Sequence, residues 1–175
     1  MRWVALLRAV NLGARNKVPM AELRTLLADA GYGEARTYVA SGNVLLDGPR
    51  SGTALSAALE DLIAGAFGVT TTVILRKPRE LAAVVAAHPF GSDVSETHVA
   101  FLAARPTKTA AGRLDEVDPG SDLAVLAGAE VYLRLPRGVH GSRLSVARIE
   151  KLLGIPVTLR NWRTVAALAE LAAEA

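Results

Sequence analysis

Apolar residues recur along this chain in two rhythms, and the switches between them mark the elements. Residues 3–9 are a short apolar run with β-compatible side chains and read as a buried strand. Residues 10–18, V-N-L-G-A-R-N-K-V, form a polar loop, and Pro19 stands where a first helical residue belongs. Met20, Leu23, Leu26, Leu27 and Ala30 share one helical stripe, which Gly31 and Gly33 end. Residues 37–40 and 44–46 flank Ser41-Gly42-Asn43 as a hairpin. After the breakers Gly48, Pro49 and Gly52, a helix carries Leu55, Leu59, Leu62, Ile63, Ala66 and Phe67 on one face and stops at Gly68. Residues 70–75 are a β-branched strand. This order, β-α-β-β-α-β, is that of a ferredoxin-like unit.

The same order then occurs again. Pro78 opens a linking helix with Leu81, Val84 and Val85 on one side, closed by His88-Pro89-Phe90-Gly91. Residues 97–103 read as a strand and 108–117 as a helix. Residues 123–126 and 131–135 pair across 127–130, and a polar loop covers 136–142. A helix at 144–153 turns Val146, Ile149, Leu152 and Leu153 inward. A strand at 156–159 leads into a last helix at 162–173. The expected fold is α+β, with two tandem ferredoxin-like units packed together. Residues 1–76 make the first half and 77–96 the linking helix and loop. Residues 97–175 make the second half with the C-terminal helix. The repetition is one of element order, not of residues.

Right-handed crossovers make strands one and two of each half run one way and strands three and four the other. In the first half this brings Asn11, Arg15, Asn16 and Lys17 towards Ser41 and Asn43. In the second it brings Arg137, His140, Ser142 and Arg143 towards Arg160, Asn161, Trp162 and Arg163. The acidic loop at 115–122 shares that second end, where it neutralises the basic cluster or shapes its rim. A β-to-α connection needs only about 2–6 residues, so the loop at 10–18 is longer than connection requires.

Charge sharpens this picture. The formal net charge is only +3, but it is unevenly spread. Residues 131–165 hold seven basic residues against Glu150, and residues 1–24 hold five against Glu22, while residues 91–130 hold seven acids against three bases. Either a basic surface faces an anionic partner or the arginines are simply solvated. Cysteine is absent, which excludes disulfides, thiolate metal sites and a Cys nucleophile, and fits a reducing cytoplasm. Arg8 interrupts the first apolar run too early for a signal peptide, and no stretch is long enough to span a membrane.

The densest chemistry lies at Thr158-Leu159-Arg160-Asn161-Trp162-Arg163-Thr164, where a strand meets a helix. Asn161 suits an N-cap and Trp162 suits a core anchor, or else a stacking face. Neither role accounts for Arg160 and Arg163. The loop Asn11-Leu12-Gly13-Ala14-Arg15-Asn16-Lys17 could hold an anion at a helix N-terminus, though it is neither a phosphate-binding G-x-x-x-x-G-K-[ST] loop nor a G-x-G-x-x-G fingerprint. His88 reads as a packing residue and His98 lies in a strand. His140, between Gly138 and Gly141 in a basic loop, alone has the setting of a general acid or base. No metal cluster, G-x-S-x-G or calcium loop is present. Strands one and three of the first half lack the aromatics that RNA-recognition domains need.

Several of these stretches together resemble the bacterial family of unknown function DUF1697. They are Leu7-Arg8-Ala9-Val10-Asn11-Leu12-Gly13 with Val18-Pro19-Met20-Ala21-Glu22-Leu23, and Tyr38-Val39-Ala40-Ser41-Gly42-Asn43-Val44. Later come Ser142-Arg143-Leu144-Ser145 with Ile149-Glu150-Lys151-Leu152-Leu153-Gly154, and the junction from Thr158 to Val165. The family pattern more often has Gly at Ala9 and Lys at Arg143; the first departure implies tighter loop packing and the second preserves charge. The resemblance implies paired ferredoxin-like parts and brings no activity or cofactor. It marks Arg8, Asn11, Ser41, Asn43, Arg160, Asn161, Trp162 and Thr164 as the polar residues that belong to the family pattern.

The expected function is cytoplasmic binding of an anionic ligand: a nucleotide, a phosphorylated metabolite or nucleic acid. Arg143, Arg160 and Arg163 would grip the anion, and Asn161 and Trp162 would orient a base or sugar. Two alternatives remain open. One is an enzyme on a small phosphorylated or carboxylated substrate, with His140 as acid or base and Arg160 stabilising developing charge. The other is a homodimeric interaction module. No cofactor, metal or membrane partner is expected, and the chain is a monomer or homodimer.

Overall fold

The computed structural model describes residues 1–174. These residues form two four-stranded antiparallel sheets and six α-helices, a mixed α+β fold. The chain runs β1 (Arg2–Leu7), α1 (Met20–Asp29), β2 (Arg36–Tyr38), β3 (Asn43–Asp47), α2 (Gly52–Phe67), β4 (Val73–Arg76) and α3 (Pro78–Ala86). It continues as β5 (Thr97–Leu102), α4 (Lys108–Asp115), β6 (Leu123–Ala127), β7 (Glu130–Arg134), α5 (Val146–Leu153), β8 (Val157–Asn161) and α6 (Trp162–Ala173). Two compact units result. One comprises Met1–Ala82 with the chain from Leu168 onward, and the other Ala83–Ala167. No described helix is long and apolar enough to cross a membrane.

In the first unit the sheet order is β2-β3-β1-β4. Strand side chains alternate between faces, so Ala5, Leu7, Val44, Leu46 and Val73 line one side. There they meet Leu23 and Leu27 of α1 and Leu55, Leu59 and Ile63 of α2 in a buried core. Helix α2 starts where the Ser51 hydroxyl accepts from the Ala54 N–H, and ends at left-handed Gly68. In the second unit the order is β6-β7-β5-β8. Ala100, Leu102, Val131, Leu133 and Val157 pack against Ala110 and Leu114 of α4 and Ile149 and Leu153 of α5. Ser145 caps α5 and left-handed Gly154 ends it, repeating the devices of α2.

The correspondence reaches individual residues. Val4 stands opposite Leu45 and Arg76, and Val99 stands opposite Tyr132 and Arg160. Val4-Ala5-Leu6-Leu7 is thereby in register with Val99-Ala100-Phe101-Leu102. The Leu7 N–H donates to Gly42 O and the Leu102 N–H to Ala129 O; the Arg8 N–H donates to Thr72 O and the Ala103 N–H to Pro156 O. A glutamate of each second helix caps the start of the last strand. Glu60 Oε1 accepts from the Val73 N–H, and Glu150 Oε1 from the Val157 N–H, both at 2.8 Å.

Element boundaries depart from expectation where the backbone turns left-handed or a cap intervenes. Strand β1 ends at Leu7, because Ala9 takes φ +56, and β2 ends at Tyr38, because Val39 takes φ +49. Pro19 is the extended N-cap of α1 rather than its first residue. Helix α5 begins at Val146, since Ser145 is its cap, and α4 stops at Asp115. Strand β4 starts only at Val73, and β8 continues to Asn161, which pairs with His98.

Candidate functional site

The loop after β1 is held by its own amides. Asn11, at φ +54, accepts from the Val18 N–H through Oδ1 at 2.8 Å and donates Nδ2 to Val18 O at 2.9 Å and to Ala40 O at 2.7 Å. Its side chain thus closes the loop on itself and ties it to the β2–β3 hairpin. Asn16, at φ +50, donates Nδ2 to Ala9 O at 2.8 Å, and its carbonyl accepts from the Asn11 N–H. Four non-glycine residues of the first unit sit in the left-handed region. Such backbone persists only where surrounding bonds over-determine it, and at Ala9, Asn11 and Asn16 side-chain amides supply them.

The hairpin side is equally committed. Asn43 is fully buried and donates Nδ2 to Tyr38 O at 2.9 Å and to Ser41 Oγ at 3.0 Å. Gly42, at φ +83, accepts from Leu7 so closely that a Cβ there would stand 2.6 Å from Val10 Cγ2. Arg8 is half-buried, and its carbonyl accepts from Thr71 Oγ1 at 2.7 Å. The sequence-predicted set therefore divides. Asn11, Asn16, Ser41 and Asn43 build the scaffold. Arg15 and Lys17 are exposed on it and form no ion pair among the described residues. Leu12 of the same loop is 63% exposed.

At the β8–α6 junction of the second unit, most of the expected residues have structural partners. Asn161 Oδ1 accepts from the Thr164 N–H at 2.9 Å and caps α6. Trp162 is half-buried, with its ring 4.4 Å from that of His88. His88 Nε2 lies 3.0 Å from Thr97 Oγ1. Arg160 is only 6% exposed, and its Nη1 donates to Thr158 Oγ1 at 2.8 Å and Leu159 O at 2.9 Å. Burial pushes the Arg160 guanidinium down to about 10, so it remains a cation at neutral pH. Arg163 alone of this group is exposed with no ion pair among the described residues.

The loop following β7 and the acidic turn before β6 do meet. Arg143 Nη1 pairs with Asp118 Oδ2. Ser142 Oγ and the Arg143 N–H both donate to Asp122 Oδ2, at 2.9 and 3.1 Å. The Gly120 N–H, then Arg143, hold the Asp118 carboxyl below the usual aspartate range. Asp122 is fully buried, and its Oδ1 accepts no hydrogen bond from a described residue. His140 sits exposed in a single 3-10 turn, Val139–Gly141, and makes no hydrogen bond or ring contact with a described residue. A general base needs a proton within hydrogen-bond reach and a group to orient it, and His140 has no such orienting neighbour. No described cluster of His, Asp and Glu could hold a metal ion.

Neither sheet offers an open stacking surface in its central strands: Val4, Leu6 and Leu45 in the first, and Val99, Phe101 and Tyr132 in the second, are buried. Sequence reasoning missed two features. One is the Glu60 and Glu150 pair, which only the distance from each glutamate to its strand start could suggest. The other is the burial of Arg160, for which the alternation Thr158, Arg160 opposite Val157, Leu159 was the available signal.

A search of curated proteins finds no match to this chain. The solved structure of the conserved bacterial protein SP0830 from Streptococcus pneumoniae is similar, with a TM-score of 0.73 at 21% identity over 98% of each chain. That likeness is one of fold. The family model described as "Protein of unknown function (DUF1697)" matches residues 1–132, which include the whole β1 loop and its hairpin clamp. The chain belongs to the DUF1697 family.

Proposed function

We propose that the protein binds a phosphate-bearing ligand, a nucleotide, a phosphorylated metabolite or nucleic acid, on the loop after β1. The observation that carries the reading is a division of labour. The Asn11 amide spends both its ends on backbone groups, while Arg15 and Lys17 stay exposed without an ion pair among the described residues. Preorganising a cationic loop lowers the ordering cost of binding. Arg15 supplies a planar fork for phosphate oxygens, and Lys17 adds a point charge. The junction residues Arg143, Arg160, Asn161 and Trp162 are better occupied as structural groups, so the ligand contact shifts to the first unit. Arg163 stays exposed without an ion pair among the described residues.

Each sheet with its two helices reads as a ferredoxin-like unit, with strand order β4-β1-β3-β2 and its counterpart. The tetrapeptides at 4–7 and 99–102 support an internal duplication. The lack of cysteine fits a cytoplasmic setting.

A thermal-shift screen of nucleotides and sugar phosphates tests the reading. A binder at about 100 times its dissociation constant adds roughly 2.7 kcal/mol, or about 5–10 °C for a chain of this size. The shift should vanish in the Arg15→Ala, Lys17→Ala double variant. An equal shift in that variant would refute the site.

A second reading, self-association, has one specific support. Strand β6 is an edge strand without a charge, and its Leu123 and Val125 are 47% and 39% exposed. Exposed apolar edges invite pairing. Val125→Lys should convert any dimer seen by light scattering to monomer, and an unchanged dimer would exclude that edge.

A further inference from the structure

A second feature of the first unit lies at the other end of β1. A cavity of about 220 Å³ is lined by Arg2, Arg36, Thr37, Tyr38, Leu45 and Leu171. The sheet register explains why these residues meet. Arg2 stands opposite Asp47, and Arg36 stands opposite Leu45, two residues along from the Tyr38–Asn43 pair. Alternation then puts Arg2, Arg36, Tyr38, Leu45 and Asp47 on one face, away from the core side of Ala5, Val44 and Leu46. Thr37 turns to the other face, where its Oγ1 accepts from Arg24 Nη1 at 2.6 Å.

The charges of this cavity do not cancel. Arg2 Nη2 pairs with Asp47 Oδ2 at 3.1 Å. Arg36 forms no ion pair among the described residues. Two guanidinium groups against one carboxylate leave a net single positive charge. Arg2 Nε is also buried, with no described acceptor. Leu45, Leu171 and Tyr38 line the same cavity and supply its apolar surface. The volume lies below the roughly 300–1,000 Å³ of sites for drug-sized ligands, so a nucleotide does not fit. A larger groove by Met1, Lys77, Pro78 and Arg79 is open to solvent and encloses nothing.

We infer that this cavity is a binding site for a small monocarboxylate with an apolar tail, its carboxylate held between Arg2 and Arg36 and its tail against Leu45 and Leu171. The site is independent of the loop after β1.

Titration with benzoate and butyrate, followed by the methyl resonances of Leu45 and Leu171, tests the inference. Saturable shifts are expected. Arg36→Ala, a change at an exposed edge position, should weaken binding by about tenfold or more, the loss of a charge-assisted bond. Arg36→Lys should restore part of it, and Tyr38→Phe should leave the fold intact while altering the methyl shifts. Arg15→Ala should change nothing here, which separates this site from the loop. The inference is overturned if neither carboxylate gives saturable shifts, if Arg36→Ala binds as the parent does, or if inorganic phosphate at the same concentration binds equally well.

Discussion

Asn11 lies along Val18 as one strand lies along another: its Oδ1 accepts from the Val18 N–H at 2.8 Å and its Nδ2 donates to Val18 O at 2.9 Å. A third bond, to Ala40 O at 2.7 Å, ties the same amide to the hairpin. Asn11→Ala removes all three and keeps an unfavourable φ of +54. At about 1 kcal/mol per net hydrogen bond, the loss is about 2–4 kcal/mol. Asn11→Gly, which tolerates this φ, should recover about 1 kcal/mol of that. Urea denaturation of the two variants measures both quantities, and a neutral Asn11→Ala would contradict the clamp.

Gly42 and Gly13 provide a matched pair. Both have positive φ, but a Cβ at Gly42 meets Val10 and Leu7 at 2.6 and 2.8 Å, whereas one at Gly13 meets nothing within 4 Å. Gly13→Ala should cost only the left-handed penalty of about 1–2 kcal/mol. Gly42→Ala adds steric displacement and should cost at least about 2 kcal/mol more. Equal destabilisation of the two would mean that the loop is not seated on Gly42.

The two glutamate caps test the equivalence of the units. Glu60→Ala and Glu150→Ala each free one strand N–H, of Val73 and Val157. Each should lose about 1–3 kcal/mol, by similar amounts, because a carboxylate acceptor is lost. The double variant should be additive, since the two caps serve different strand starts, Val73 and Val157. A loss confined to one of them would end the comparison.

Much of this architecture was legible in the sequence. The apolar face Leu55, Leu59, Ile63 and the start of α6 at Trp162 follow from spacing alone. The meeting of the Ser142–Arg143 loop with the acidic turn followed from strand direction. Left-handed Ala9 and Val39 were not legible, because neither residue type favours that conformation. Arg160 was misleading for a related reason. A guanidinium in a polar-looking junction suggests an open site, yet the strand register turns it into the sheet, where Thr158 and Leu159 satisfy its Nη1. The likeness of V-A-L-L to V-A-F-L was on view but carried no weight until both tetrapeptides proved to hold the same register.

His98 sets a pH dependence. Burial pushes its pKa below the ordinary 6.5, against a smaller opposing effect from the Glu96 carbonyl. In the unfolded chain the imidazole takes up a proton near pH 6.5, whereas the folded chain does so only at lower pH. The unfolded state binds more protons in that window, so stability is full above pH 6.5 and falls as the pH drops towards the folded value. His98→Gln should flatten this part of the curve relative to the parent. Denaturation midpoints between pH 5 and 7.5 that fall in parallel for both proteins would exclude His98 as the source.

Arg15 and Lys17 are proposed to grip phosphate from a loop that Asn11 holds in place. Amide chemical-shift mapping during titration with inorganic phosphate, repeated with a nucleoside monophosphate, tests it most directly. Saturable shifts concentrated at residues 11–18 are expected, abolished in the Arg15→Ala, Lys17→Ala variant while its thermal stability is retained. Shifts centred instead on residues 137–143 or 160–163, or unchanged binding by the double variant, would contradict it.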